Sequence, residues 1–185
     1  MNTETSAKDT KISHLRKPAF TFSLEVICAV FLVVFDLLTK TAAAAALKGQ
    51  APIVLIDGVL ELRYVENTGA AFSILENAQW LFIVAAGVVI AAIAVLLLKL
   101  PGTRHYLPMH LLLTLIAAGA AGNLIDRIFL HYVRDFIYFS LIDFPIFNVA
   151  DIYVTVSTFL LVLCILFYYE DEDFAFLHRN RRAAS

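Results

Sequence analysis

The residues of this sequence that could do chemistry are aspartates with an amide or a cationic side chain three or four positions away. Asp36 is followed by Lys40, and Asn148 is followed by Asp151. Residues at these spacings share one face of an α-helix, so the members of each pair can act together. Carboxylates supply general acids and bases, and amides beside them can hold a peptide or a lipid head group.

A third group of the same kind combines an amide, a carboxylate and a guanidinium. Asn123 precedes Asp126 by three residues and Arg127 by four, so all three can share a helical face. The group follows a long apolar run. Ionisable side chains within or at the ends of apolar runs cost free energy, and each is therefore a functional candidate.

Each group also has a purely structural interpretation. Asp36 and Lys40 can form an intrahelical ion pair, and Asp126 with Arg127 can be a charge cluster at a helix end. Asp151 can cap the N-terminus of a helix, where the helix dipole favours a carboxylate, although another capping residue lies three positions before it.

The composition indicates that these groups lie in a membrane protein. Of the 185 residues, 61% are hydrophobic and 16% are charged, and the mean hydropathy is +0.80. A soluble core of this length cannot bury so much apolar surface, which excludes an ordinary soluble enzyme and a disordered chain. The net charge of −2 argues against a nucleic-acid binder.

Four apolar stretches are long enough for the roughly 20 residues of a transmembrane helix. The first begins near Phe20 and ends between Leu38 and Ala46. The other three cover about 78–100, 106–125 and 150–169. The sequence therefore predicts an all-α polytopic membrane protein with four transmembrane helices. We expect a single membrane domain over 1–185, with tails at 1–18 and 170–185 around a membrane body at 19–169.

The two connections on the other side of the membrane from the tails are predicted to be more than plain loops. Leu60, Leu62 and Tyr64 alternate with polar residues, which is typical of a half-buried strand, and we expect a small outer-face β element at about 52–77. The second connection, 127–149, mixes aromatic residues with Asp135 and could lie in the membrane interface.

The distribution of basic residues predicts the orientation of the chain. Nine lie in the tails and in the connection between spans two and three, and five lie on the other side. The nine are Lys8, Lys11, Arg16, Lys17, Lys99, Arg104, Arg179, Arg181 and Arg182. Because basic loops stay in the cytoplasm, both termini should be cytoplasmic. The polar groups then all lie near the outer surface.

Several other chemistries are not supported by the sequence. The five histidines are scattered, with no HExxH pattern, so neither a metal nor another cofactor is predicted. A small proton-coupled transporter should place its polar residues near the midplane, with access to both sides. A membrane scaffold would not need both Asp135 and Asp151. A transporter and a scaffold remain as the alternatives to an enzyme.

The polar groups form five short blocks that resemble the motifs of the bacterial lipoprotein signal peptidases (signal peptidase II), in order and spacing. The blocks are Asp36-Leu37-Leu38-Thr39-Lys40, Asn67-Thr68-Gly69-Ala70-Ala71-Phe72-Ser73, Gly122-Asn123-Leu124-Ile125-Asp126-Arg127, Val133-Arg134-Asp135-Phe136 and Phe147-Asn148-Val149-Ala150-Asp151. They resemble D-x-x-[ST]-K, N-x-G-A-A-F-[SG], G-N-x-x-D-R, V-V-D-F and F-N-x-A-D. One departure is Arg134, at a position that is usually apolar.

This resemblance implies an aspartyl endopeptidase that needs no cofactor or metal. It implies that Asp135 and Asp151 are catalytic. With the residues that bind the substrate or support the catalytic pair, the site comprises ten residues. The other eight are Asp36, Lys40, Asn67, Gly69, Asn123, Asp126, Arg127 and Asn148. Two close carboxylates share one proton, so the ionised one can activate water while the protonated one polarises the carbonyl. The closest rival pairs Asp126 with Asp151.

The resemblance also implies the substrate and the location. The substrates would be prolipoproteins whose cysteine already carries diacylglycerol, cut just before that cysteine. We expect a multi-pass protein of the bacterial cytoplasmic (inner) membrane, in contact with membrane lipid, without nucleic acid, and functional as a monomer.

The orientation can be tested by labelling introduced cysteines from outside intact cells. In a variant whose Cys28 and Cys164 are replaced by serine, Glu61→Cys should react with a membrane-impermeant reagent and Thr3→Cys should not. Reaction at position 3 without reaction at position 61 would contradict the topology.

Overall fold

The computed structural model describes residues 19–69 and 79–181 of the chain, with side chains for 22–69 and 79–177. Four α-helices dominate it: α1 (Ala19–Leu47), α2 (Gln79–Lys99), α3 (Leu107–Leu130) and α4 (Val149–Phe167). All four are long and apolar enough to cross a membrane. The four helices expected from the sequence are thereby confirmed.

Helix α3 is longer than the sequence predicts. The third apolar stretch was expected to end near residue 125, but the helix continues to Leu130 and ends where His131 adopts a left-handed conformation with φ of 66°. The polar residues Asn123, Asp126 and Arg127 therefore lie within the helix. They share one face, so the opposite face stays apolar, with Phe129 exposed, and the helix does not have to stop.

A small antiparallel sheet is packed at one end of the helices. Its strands are β1 (Ile53–Ile56), β2 (Leu60–Asn67) and β3 (Val133–Phe139), in that spatial order. Strands β1 and β2 confirm that the chain contains a small β element, and Gly58 supplies the positive φ of 65° that their turn needs. Of the range 52–77, residues 70–77 lie outside the described part of the chain.

Strand β3 was not predicted. The first part of the connection 127–149 pairs with β2, with Val65 opposite Asp135 and Asn67 opposite Val133. A strand was hard to recognise there because Arg134 and Asp135 are adjacent, so each face of the strand carries a charge and the usual alternation is hidden.

The sheet is attached to the bundle by a small apolar core. Phe136 of β3 packs against Ala43 and Leu47 at the end of α1, with Leu62 and Tyr64 of β2 beside them. We call this end of the bundle the sheet end. At the opposite end, a 3₁₀ helix at Asp171–Arg181 packs against the connection between α2 and α3, where Asp173 pairs with His105 at 2.9 Å.

Helix α3 lies at the centre, against α1, α2 and α4, and is the most buried of the four. Two glycines permit the close packing. A Cβ on Gly119 would lie 2.5 Å from the carbonyl oxygen of Ala150, and a Cβ on Gly122 would collide with the carboxylate of Asp36. The small residues 117–122 therefore let α1 and α4 lie close to the polar face of α3.

Candidate active site

The candidate site is built around Asn148, the residue that caps helix α4. Its side-chain oxygen accepts a hydrogen bond from the backbone N–H of Asp151 at 3.0 Å, and its own N–H donates to Asp151 Oδ2 at 3.1 Å. This reciprocal capping box fixes the start of the helix. The amide nitrogen of Asn148 also donates to Asp135 Oδ1 at 2.6 Å. Asn148 therefore connects the two aspartates.

Asn123 of α3 holds the same pair from the other side. Its Nδ2 donates to Asp151 Oδ1 at 2.7 Å. Its Oδ1 accepts from Asn148 at 3.1 Å and from the ammonium of Lys40 at 2.8 Å. Because all of its side-chain polar atoms are used, the orientation of Asn123 is fixed, and with it the position of the Asp151 carboxylate.

Lys40 and its acidic partners lie behind this pair. The Lys40 ammonium is 2.8 Å from Asp36 Oδ2 and 3.7 Å from Asp126 Oδ2, and all three side chains are almost completely buried. Asp36 Oδ1 accepts a hydrogen bond from the backbone N–H of Ala150 at 2.9 Å, at the beginning of α4. The ion pair expected between Asp36 and Lys40 is therefore present, and it also links α1 to α3 and α4.

Asp135 lies on β3 and is only 2% exposed. Besides the bond from Asn148, its Oδ2 accepts one from Asn67 Nδ2 on β2 at 2.9 Å. Burial, and after it the charge of Asp151, raise the pKa of Asp135 to about 7, while the bonds from Asn67 and Asn148 act in the opposite direction. This carboxyl group therefore keeps its proton to a higher pH than an ordinary aspartate does.

Arg127, Asn67 and Gly69 form a connected group next to the pair. The Arg127 guanidinium is 3.5 Å from the carbonyl oxygen of Gly69 and lies 5.0 Å from the ring centroid of Phe82. The side-chain oxygen of Asn67 accepts the N–H of Gly69 at 3.0 Å, which shapes the chain just before residue 70.

These polar groups face a cavity of about 500 Å³. Asp135, Asp151, Asn67, Asn123 and Arg127 line it on one side, and the remaining walls are mainly apolar. Those walls consist of Phe82, Val133, Phe144, Pro145, Ile146, Phe147, Ile152, Thr155 and Val156. A second cavity of about 330 Å³ shares Asp151 and continues between α2, α3 and α4 along small and apolar side chains. Two carboxylates at one end of an apolar trough suit the hydrolysis of a peptide attached to an apolar segment.

Comparison with known proteins identifies the family. A family model described as "Signal peptidase (SPase) II" matches residues 28–167. The chain is 43% identical to the lipoprotein signal peptidase of Symbiobacterium thermophilum over 76% of this chain and 92% of the relative. It is 39% identical to that of Streptococcus pyogenes serotype M5 over 82% of this chain and 96% of the relative.

The chain belongs to the signal peptidase II family. Its structure resembles a bacterial membrane enzyme solved by the in meso method at 1.9 Å resolution, with a TM-score of 0.69 and 29% identity over 84% of this chain and 99% of that one. A second such enzyme, solved at 2.3 Å, gives 0.68 and 32% over 78% of this chain and 88% of that one. Signal peptidase II is an aspartic protease that acts on prolipoproteins.

All ten site residues named from the sequence lie in one connected region of this signal peptidase II. Asp135 and Asp151 line the cavity, whereas Asp36, Lys40 and Asp126 lie behind it. Both oxygens of Asp126 bind Arg134, at 2.7 and 3.1 Å. Asp143, by contrast, is exposed and accepts a hydrogen bond from the Tyr138 hydroxyl at 2.6 Å.

Sequence reasoning missed the cavity wall at 144–147 and the partner of Asp126. The aromatic residues of that wall were visible but resembled ordinary interfacial residues. Arg134 was noticed only as a departure from the family motif. Among the described residues, no group of three or more His, Cys, Asp or Glu side chains could hold a metal ion.

The hydrogen bond from Asn67 predicts a shift in pH dependence. The bond stabilises the charged form of Asp135, so Asn67→Leu should raise the pKa of Asp135 further above its ordinary value. If activity needs protonated Asp135, it is lost as the pH rises through that pKa, and the variant should lose activity at a higher pH than the wild type. The measurement is kcat as a function of pH. The alkaline limb of this profile gives an apparent pKa that belongs to the coupled pair of carboxyl groups.

Glu66→Gln is the matched control for this shift. Glu66 is the preceding residue of β2, and it points to the opposite face and pairs with Lys48 at 2.6 Å on the surface. The alkaline limb of the kcat–pH profile of Glu66→Gln should coincide with that of the wild type. A limb that stays in place or moves to lower pH in Asn67→Leu would contradict the role given to this hydrogen bond.

Proposed function

We propose that this signal peptidase II cleaves prolipoproteins just before a diacylglyceryl-modified cysteine, with Asp135 and Asp151 as its catalytic pair. The observation that carries this proposal is their shared geometry. Both carboxylates line one cavity, and both are hydrogen-bonded to Asn148. Two carboxyl groups coupled in this way can divide the acid and base roles of peptide hydrolysis.

The environments of the two groups favour one division of roles. Asp151 accepts hydrogen bonds from Asn123 and from the backbone N–H of Asn148, and it lies at the N-terminus of α4, so negative charge on it is favoured. Asp135 is buried, with a pKa raised to about 7. Asp151 would therefore take the proton from the attacking water, while protonated Asp135 would donate a hydrogen bond to the scissile carbonyl oxygen.

The reaction is completed when one proton is transferred to the leaving group. Attack of water gives a tetrahedral intermediate whose oxygen is hydrogen-bonded to Asp135. The proton collected by Asp151 passes to the leaving amine nitrogen as the C–N bond breaks, which restores the starting state of the pair. Asn123 and Asn148 keep the carboxylates in place, Arg127 and Asn67 line the cavity beside them, and Gly69 contacts both Asn67 and Arg127.

Asp36, Lys40 and Asp126 support the site from behind. The rival pair, Asp126 with Asp151, is disfavoured because both oxygens of Asp126 are occupied by Arg134. A carboxylate held by a bidentate guanidinium is stabilised in its charged form and is a poor partner for sharing a proton.

The apolar trough supports the substrate assignment. The second cavity continues from Asp151 between three membrane helices, and the walls of the first are mainly apolar, so both can accept a signal helix or acyl chains. We further propose both termini in the cytoplasm of the bacterium, contact with membrane lipid, and action as a monomer. The last is supported because one chain supplies all ten site residues.

The catalytic pair can be tested by conservative substitution. Asp135→Asn and Asp151→Asn should each lower kcat by at least roughly 10²–10⁴-fold, because asparagine keeps the shape but cannot share a proton or act as a base. The measurement is cleavage of a lipidated prolipoprotein by purified, folded enzyme.

Two further variants give that experiment its controls. Asp143→Asn, on the exposed loop, should cleave at the wild-type rate. Asp126→Asn should lose activity in part, or through instability. Full activity in Asp135→Asn with none in stable Asp126→Asn would replace our pair with Asp126 and Asp151, and retained activity in Asp151→Asn would refute the aspartyl mechanism.

The lipid requirement can be measured in the same assay. Because the trough is apolar, a precursor with a diacylglyceryl cysteine should be cleaved much faster than the same precursor without it. Equal rates would contradict the substrate assignment but leave the peptidase class intact.

A further inference from the structure

Arg134 connects the strand of Asp135 to two helices. Its guanidinium binds Asp126 of α3 through Nη2 to Oδ1 at 2.7 Å and Nε to Oδ2 at 3.1 Å, and its backbone N–H donates to Oδ2 at 3.1 Å. Its third nitrogen, Nη1, donates to Thr41 Oγ1 of α1 at 3.1 Å. This is a fork-shaped ion pair of the kind that fixes geometry as well as charge.

Asp135 therefore lies between two anchored residues. Before it, Arg134 is held by Asp126, and after it, the N–H of Phe136 donates to the carbonyl oxygen of Phe147 at 3.0 Å. Successive side chains of a strand point to opposite faces. The Arg134 side chain thus points away from the cavity that Asp135 lines, and any influence on Asp135 must pass through the backbone of β3.

Asp126 needs this partner because Lys40 is already engaged. The Lys40 ammonium is 3.7 Å from Asp126 but 2.8 Å from both Asp36 and Asn123. Asp126 is 1% exposed, and a buried carboxylate without a close partner is strongly destabilising. The hydrogen bond to Asp126 in turn raises the pKa of the Arg134 guanidinium, so the pair stays ionised.

We propose that Arg134 is a positioning residue for Asp135, which fixes β3 to the end of α3 so that the Asp135 carboxylate meets Asp151 at the correct distance. In this chain an ion pair occupies a position where the family resemblance leads one to expect an apolar residue. The proposal rests on the proposed catalytic pair. It assigns Arg134 no contact with substrate.

The first test is Arg134→Met, which keeps an extended apolar stem and removes the guanidinium. A displacement of a reacting group by about 1 Å can cost roughly 10²-fold in rate. We expect kcat to fall by roughly 10- to 100-fold while KM changes less than about twofold, because the cavity walls are untouched. A merely structural residue would lower the folded fraction and leave kcat per folded molecule unchanged.

Arg63→Met is the matched control. Arg63 is also an arginine of the sheet that is paired with a carboxylate, Glu61 at 3.1 Å, and it lies over the Tyr138 ring at 4.6 Å, but its side chain is 45% exposed against 14% for Arg134. Its kcat should equal that of the wild type. Arg134→Lys keeps the charge but not the fork, so it should recover part of the loss, and it carries the test if Arg134→Met does not fold.

A double variant tests whether Arg134 acts through Asp126. If it does, Asp126→Asn combined with Arg134→Met should have nearly the kcat of Asp126→Asn alone. Multiplication of the two single effects would overturn the proposed coupling. Wild-type kcat in folded Arg134→Met, or a fall in Arg63→Met as large as in Arg134→Met, would overturn the positioning role itself.

Asp135→Asn, measured in parallel, separates the two proposals. If Asp135→Asn is inactive and Arg134→Met is fully active, only the positioning role fails. If Asp135→Asn is active, the proposed catalytic pair fails, whatever Arg134 does.

Discussion

The ammonium group of Lys40 is the charge on which the polar interior of this protein depends. It is completely buried and is bound at 2.8 Å by both Asp36 and Asn123. A carboxylate this far from solvent is tolerated only with a close partner, and Lys40 supplies it. The orientation that Lys40 imposes on Asn123 then determines where the Asn123 amide meets Asp151. One buried cation on α1 thus controls the geometry of a carboxylate on α4.

Close helix packing is the condition for this arrangement. Asp36 reaches the first turn of α4 because Gly122 leaves room for its carboxylate, and Gly119 lets α3 approach the backbone at Ala150. Within a bilayer the hydrophobic effect does not drive helices together, because lipid tails are as apolar as the helix surfaces. Close polar contacts between helices therefore depend on small residues that let the backbones approach. The small residues and the charges of α3 therefore act together: the first allow the approach and the second make it specific.

The sequence was sufficient for the elements that obey a simple period or length. Four apolar stretches predicted four helices, and the alternation around Leu62 predicted a strand. It was insufficient where a local rule was broken. Strand β3 has a charge on each face, and α3 continues past Arg127 because its polar residues occupy only one face, a choice that depends on packing rather than on local preference.

For the site, as for the fold, local spacing could be predicted from the sequence and long-range contacts could not. Motif spacing was enough to group the side chains named from the sequence, because i, i+3 and i, i+4 pairs are set by helix geometry alone. Contacts between distant segments were not accessible in this way. The bond from Asn67 to Asp135 requires β2 to pair with β3 in one register, and the pairing of Arg134 with Asp126 requires the turn at His131 to reverse the chain.

The different origins of the two cavity aspartates explain how identical side chains could take different roles. Asp151 begins a helix, where backbone N–H groups and the helix dipole favour negative charge. Asp135 comes from a strand at the sheet end, where it meets amide donors but is almost fully enclosed, so burial outweighs them and raises its pKa to about 7. A helix start and a buried strand that face one cavity thus give the two aspartates different electrostatic environments.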